Sequence, residues 1–260
     1  MPVPLNHCIV GEGSPILVLH GLFGSGTNWR SFARALGDRW QLHLLDLRNH
    51  GQSSHADSMT YPEMANDLRT YMDEKKIGAA VVLGHSMGGK VAMRFALESP
   101  RRVQRLVVVD MAPTDSAHDH VPLLTAMQNL NLRRIGRREQ ASQALAEAIP
   151  DAGLRQFLLQ NLVAGNDGYR WRINLDALKS NLPVLQGFPR SGTGGPYDGP
   201  ALFLRGQLSD YVPESAWPGI RALFRNAEIV TIENAGHWVH AEQPDAFLSA
   251  IEDFLATDTG

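Results

Sequence analysis

Gly84-His85-Ser86-Met87-Gly88 sets one hydroxyl between two glycines, a G-x-S-x-G pattern. It follows the apolar run Ala80-Val81-Val82-Leu83 and precedes residues 91–97, whose apolar positions recur at helical spacing. Between a strand and a helix this pattern is a nucleophile elbow, a turn so tight that the serine accepts strained backbone and its neighbours two away lack a Cβ. The helix N-terminus then aims its partial positive charge at Ser86, which favours the negative charge developing in acyl transfer. A serine hydroxyl is a weak nucleophile at neutral pH. It needs a base within hydrogen-bond reach, and the base needs an acid to hold it in one tautomer. His237, in Asn234-Ala235-Gly236-His237-Trp238, is the candidate base, the one histidine of ten that follows the last predicted strand on a loop. For the acid, Asp110 closes the run Arg105-Leu106-Val107-Val108-Val109 and is preferred; Asp210 is the alternative.

These groups must be brought together by the elements between them. Residues 14–21, 40–47, 80–84 and 105–109 read as strands, the first and last two nearly continuously apolar, the mark of parallel strands covered on both faces. Helices are predicted between them, from a Thr27 or Asn28 cap to Leu36, over residues 61–76 and after the elbow. That alternation predicts an α/β fold with a mostly parallel, doubly wound sheet flanked by helices. Ligands then bind at the carboxyl ends of its strands, where Ser86 and Asp110 both fall. Over residues 114–188 no strand is expected, only amphipathic segments at 121–132, 139–149, 154–162 and 176–185. Residues 187–199 are rich in glycine and read as a mobile connection. Strands at 201–206 and 227–232 and a helix at 244–255 complete the chain. The expected division is a core of residues 1–113 and 200–260 with a helical lid inserted at 114–199.

The chain has 260 residues, enough for one large α/β domain, and its 24 basic and 27 acidic residues give a net charge of −3. No basic field is available for nucleic acid, so none is expected as a partner. Cys8 is the only cysteine, which excludes an intrachain disulfide and is read as a buried or bystander thiol. No signal-like N-terminus or membrane-length apolar segment is visible, so cytoplasm is the expected location and no membrane association is expected.

The motifs His20-Gly21-Leu22-Phe23-Gly24-Ser25, Asp46-Leu47-Arg48-Asn49-His50-Gly51, Gly84-His85-Ser86-Met87-Gly88-Gly89, Val109-Asp110-Met111-Ala112-Pro113 and Gly236-His237-Trp238 occur in that order. Together they resemble the α/β-hydrolase superfamily, and within it the small bacterial carboxylesterases of the YbfF type, over nearly the whole chain apart from the insertion. The resemblance implies the α/β-hydrolase fold with a helical lid. It also implies an oxyanion hole from the backbone N–H groups of Leu22 and Met87. In most of that superfamily the acid sits in a G-x-x-D-x-x-x-P frame, but Gly206-Gln207-Leu208-Ser209-Asp210-Tyr211-Val212-Pro213 puts Ser209 in its place and Asp210 one residue late. The position of Asp110 is one that the resembled esterases use.

The activity this points to is a serine carboxylesterase acting on small or short-acyl esters, with no cofactor or metal and a small-molecule ester as partner. Other chemistry of the same superfamily remains open: C–C bond, lactone or peracid chemistry, or a ligand-binding module with little turnover. Met87, Leu22 and Phe23 are candidate pocket side chains, as are Leu124, Met127, Phe157, Leu158 and Trp171 of the insertion. His20 and His85 are expected to orient loops, and His240 to pack or face solvent. Asp115, His118, Asp119 and His120 resemble a metal cluster but lack a ligand frame, and read as a solvated loop.

Overall fold

Strands covered on both faces need apolar side chains at nearly every position, and runs of that kind form the middle of this molecule. In the computed structural model, which describes residues 1–116, 118–166, 168–189 and 194–257, they build a seven-stranded sheet of order β1-β3-β2-β4-β5-β8-β9. The strands are β1 (His7–Val10), β2 (Ser14–Leu19), β3 (Trp40–Leu45), β4 (Ala80–His85), β5 (Val103–Val109), β8 (Tyr197–Gly206) and β9 (Phe224–Ile232). Only β1 is antiparallel to its neighbour. The doubly wound, mostly parallel α/β layout is therefore the one expected.

Helices cover both faces. Leu17, Leu19, Val82 and Val108 join one core cluster with α2 (Tyr61–Glu74) and α3 (Met87–Glu98). Ile16, Val18, Val81, Leu83, Val107 and Val109 join the other, with α1 (Arg30–Leu36) and α10 (Pro244–Ala256). α2 starts where the sequence marks it: Thr60 and Glu63 form a capping box with Pro62 in the first turn. α1 differs from expectation. Ser25 caps a short 3-10 turn at Gly26–Trp29, and the α-helix begins only after it.

Between β5 and β8 lie α4 (Val121–Asn129), α5 (Arg138–Leu145), α6 (Ala152–Leu159) and α7 (Leu175–Gln186), matching the four amphipathic segments. The expectation of no strand there is wrong. β6 (Leu162–Gly165) and β7 (Gly168–Trp171) form a hairpin in which Leu162 pairs with Trp171. Four-residue strands leave too few positions for an alternating pattern to register. Of the predicted connection at 187–199, residues 190–193 lie outside the described residues, while β8 already begins at Tyr197, which pairs with Phe224. Cys8 is exposed on the edge strand β1, not buried, because that strand covers only the rim of the sheet. α8 (Trp217–Leu223) and the short α9 (Val239–Glu242) complete the elements.

The loop after β3 is fastened by a buried ion pair. Arg48 meets Asp67 of α2 through Nε at 2.6 Å and Nη2 at 2.8 Å, with both side chains 1% exposed. Asp67 Oδ1 also accepts the Val3 N–H at 2.8 Å, so one carboxylate ties the N-terminus, the loop and α2. Removing Asp67 leaves the buried guanidinium with only the half-buried Glu63, 3.5 Å from Nη1, as counter-charge, so Asp67→Ala should lower the stability in urea by about 3 kcal/mol, the lower end for a broken buried pair. A loss below about 1 kcal/mol, the scale of an exposed pair, would show that the pair contributes no more than a surface one.

Candidate active site

β4 ends at His85 and α3 starts at Met87, leaving Ser86 alone at the turn with φ 53° and ψ −121°. A Cβ at Gly84 would stand 2.1 Å from the Gly88 carbonyl oxygen, and one at Gly88 would stand 2.4 Å from that of Leu19. No other residue type fits either position, which is the physical content of the G-x-S-x-G pattern. The Ser86 N–H donates to the Val109 carbonyl at 3.0 Å, tying the elbow to the end of β5.

Asp110 follows β5 with φ 47° and is fully buried. Its backbone N–H donates to Leu204 O at 2.7 Å, so the end of β8 fixes its place. Its carboxylate accepts three hydrogen bonds: from His237 Nδ1 at 2.8 Å, from Gly206 N at 3.0 Å and from the Ser209 hydroxyl. Three donors satisfy a carboxylate that is fully shielded from bulk solvent. Since a carboxylate accepts, His237 Nδ1 carries a proton, and Nε2 is the ring nitrogen left for another partner.

The alternative acid is not brought to His237. Asp210 is exposed and its Oδ1 lies 3.2 Å from His118 Nε2. Ser209, which occupies the acid's position in the motif, instead donates to Asp110; one residue of offset turned the neighbouring aspartate outward. The ring of His237 is held flat by Tyr211, 3.8 Å away and inclined 17°, and Tyr211 is stacked in turn on His118 at 3.8 Å and 12°. Of the four side chains read as a solvated loop, Asp115 and Asp119 are exposed, but the two histidines take part in the site. His118 closes this stack, and the half-buried His120 meets Phe23 edge-on at 6.1 Å.

Other histidines set the surrounding loops. His20 Nε2 accepts the Leu47 N–H at 3.0 Å, so its Nδ1 carries the proton and donates to Gly21 O at 2.8 Å. His85 Nε2 donates to His237 O at 2.8 Å, and burial holds its pKa well below the ordinary value. His240 stacks on Trp29 at 4.2 Å and is pushed down to about 4, chiefly by burial. The loop after β2 carries Phe23 at φ 64°, and its carbonyl accepts from the buried Asn161 Nδ2 at 2.7 Å. Asn161 is a residue that sequence reasoning passed over, since it falls inside the amphipathic segment expected at 154–162, whereas the helix ends at Leu159.

Ser86 and His237 line one cleft of about 280 Å³, together with Trp238 and with Leu123, Leu154 and Phe157 from the segment between β5 and β8. A second cavity of about 30 Å³ opens beside Ser86, lined by Leu22, Met87, Lys90 and Leu182 among others. Of the pocket candidates in that segment, Phe157 reaches the cleft. Leu124, Met127 and Leu158 are fully buried in the core, and Trp171 packs against it, its Nε1 donating to Met127 O at 3.0 Å. Among the described residues no group of three or more His, Cys, Asp or Glu is placed to hold a metal, and no helix is long and apolar enough to cross a membrane.

A family model described as the alpha/beta hydrolase fold matches residues 14–244. The sn-1-specific diacylglycerol lipase ABHD11 of Danio rerio is 42% identical over 98% of this chain and 83% of its own. Esterase YbfF of Escherichia coli (strain K12) is 37% identical, covering 94% of each chain. A solved structure described as a marine microorganism esterase superposes with a TM-score of 0.93 at 38% identity, covering 97% of this chain and 99% of the other.

The histidines around the site have a measurable consequence. His20 and His50 are buried, and burial lowers the pKa of both, His50 down to about 3 from 6.5. The unfolded chain takes up these protons below about pH 6.5 while the folded one does not. The stability is thus complete above that pH and is lost as pH falls toward the folded values. The unfolding free energy from urea titrations should drop steadily from about pH 7 to about pH 5, by up to about 1.4 kcal/mol per unit for each such histidine. A flat profile over that interval would refute the assignment.

Proposed function

This chain belongs to the α/β-hydrolase family, and we propose that it is a carboxylesterase that cleaves small, short-acyl esters through an acyl-enzyme on Ser86. The observation that carries the reading is the 2.8 Å contact from His237 Nδ1 to the buried Asp110, on a ring that shares a cleft with Ser86 at the strained elbow. Esterase and lipase relatives aligned over nearly the full chain support the same chemistry.

In this mechanism Ser86 Oγ attacks the ester carbonyl carbon while His237 Nε2 takes its proton, and Asp110 stabilises the imidazolium. The carbonyl oxygen becomes an oxyanion facing the backbone N–H groups of Leu22 and Met87. The carbon–oxygen bond to the alcohol then breaks, and His237 returns the proton to the departing oxygen. Water repeats the sequence: it loses a proton to His237, adds to the acyl carbon and releases the carboxylic acid, and the proton returns to Ser86. Residues 114–199 act as the lid, supplying Leu123, Leu154 and Phe157 to the wall of the cleft. A mostly apolar space of about 280 Å³ suits a small ester better than a larger ligand.

Ser86→Ala and His237→Ala should each lower kcat on p-nitrophenyl acetate by about 10⁴-fold or more. Asp110→Asn should fall by a comparable factor, about 10⁴, through loss of the required tautomer, while Asp210→Asn stays within about threefold of wild type. The reverse pattern for the two aspartates would move the acid to Asp210. A fluorophosphonate probe should label wild type at Ser86 and spare Ser86→Ala. Absence of labelling, together with no turnover of any p-nitrophenyl ester, would overturn the esterase reading.

A further inference from the structure

The two cavities meet at Ser86, but only one of them is lined by His237. Ser86, Leu22, His120 and Tyr211 line both. His237 lines the cleft of about 280 Å³. Met87, Lys90, Tyr61, Leu182 and Leu185 line the cavity of about 30 Å³. From this asymmetry, and resting on the esterase reading above, we infer that the small cavity holds the acyl chain and the large cleft holds the alcohol, so that the substrates are acetyl or propionyl esters of larger apolar alcohols.

The argument is the geometry of the tetrahedral intermediate. Its carbon bears four groups: Ser86 Oγ, the oxyanion, the alcohol oxygen and the acyl chain. The oxyanion faces the amides of Leu22 and Met87. The alcohol oxygen must lie within reach of His237 Nε2, because the bond to it breaks only as that nitrogen's proton is delivered to it. Its substituent therefore leads into the cavity that His237 lines. One direction remains for the acyl chain, and beside Ser86 that direction is the small cavity. A water needs about 10–15 Å³ of such space, so about 30 Å³ admits roughly two groups of that size, a methyl or an ethyl.

The wall of the small cavity is fixed from below. Lys90, one turn into α3 and 1% exposed, donates Nζ to Gln186 O at 2.7 Å and to Gly187 O at 2.9 Å. The buried Tyr61 donates its hydroxyl to Leu185 O at 2.6 Å. Arg94 adds Nη1 to Pro189 O at 3.0 Å. These bonds pin the C-terminal end of α7, which carries Leu182 and Leu185 into the cavity, so the wall does not recede before a longer chain.

Two ester series on the intact enzyme test this. Along p-nitrophenyl acetate, propionate, hexanoate and octanoate, kcat/KM should fall by about tenfold or more after propionate. Along ethyl, hexyl and 2-phenylethyl acetate, followed by acid release, it should rise by about tenfold or more. Leu182→Ala should raise the hexanoate to propionate ratio by about tenfold; if that variant does not fold, the wild-type series decide alone. A rate that climbs or holds level toward octanoate, an alcohol series that stays flat, or an unmoved ratio in a folded Leu182→Ala protein would each overturn the assignment of cavities. Loss of all turnover with no fluorophosphonate labelling would instead remove the esterase reading on which it rests.

Discussion

Backbone lies directly on backbone where β4 turns into α3, and the rest of the site depends on that contact. The carbonyl of Gly88 occupies the space a side chain at 84 would need, and the carbonyls of Leu19 and His20 occupy that of a side chain at 88. This approach lets a helix start within one residue of a central strand and leaves Ser86 in a conformation that costs of order 1–3 kcal/mol. Such strain persists only where the surroundings over-determine it. Here β2 and β5 flank β4 on either side, and Met87 to Leu97 of α3 is buried throughout.

Around this elbow the polar groups are satisfied in a way that also assigns their protons. Asp110 collects donors from a histidine, a serine and a backbone amide that belong to three positions of the last third of the chain. His20 and His85 each have one ring nitrogen committed to a carbonyl, and burial keeps both neutral near pH 7. His237 is thus the ring that is set between the Asp110 carboxylate on one side and the cleft it shares with Ser86 on the other. Face contact with Tyr211 holds its plane.

Much of this was legible in the sequence, for reasons that differ by element. The buried parallel strands announce themselves because both faces are covered, so β2, β4 and β5 read as apolar runs. Helices with caps and an amphipathic stripe, such as α2 between Thr60 and Glu74, are equally plain. Short elements were not legible: β1 and the β6-β7 hairpin have four residues in each strand, and their pairing is a tertiary fact. The choice between Asp110 and Asp210 could be ranked from strand position. Whether a side chain one residue out of frame can still reach His237 depends on loop geometry, and the Asp210 side chain turns instead to His118. Asn161, Tyr211 and Lys90 were invisible as participants because each acts through a partner more than twenty residues away.

The helix that begins at the elbow also grips α7, through Lys90 one turn along and Arg94 a turn further. Ser86 and the cavity wall on α7 are therefore mounted on one girder. A gauge built on a shared beam keeps its calibration while the frame around it flexes. The spacing between the Ser86 hydroxyl and the wall formed by Leu182 and Leu185 is consequently set by α3 itself.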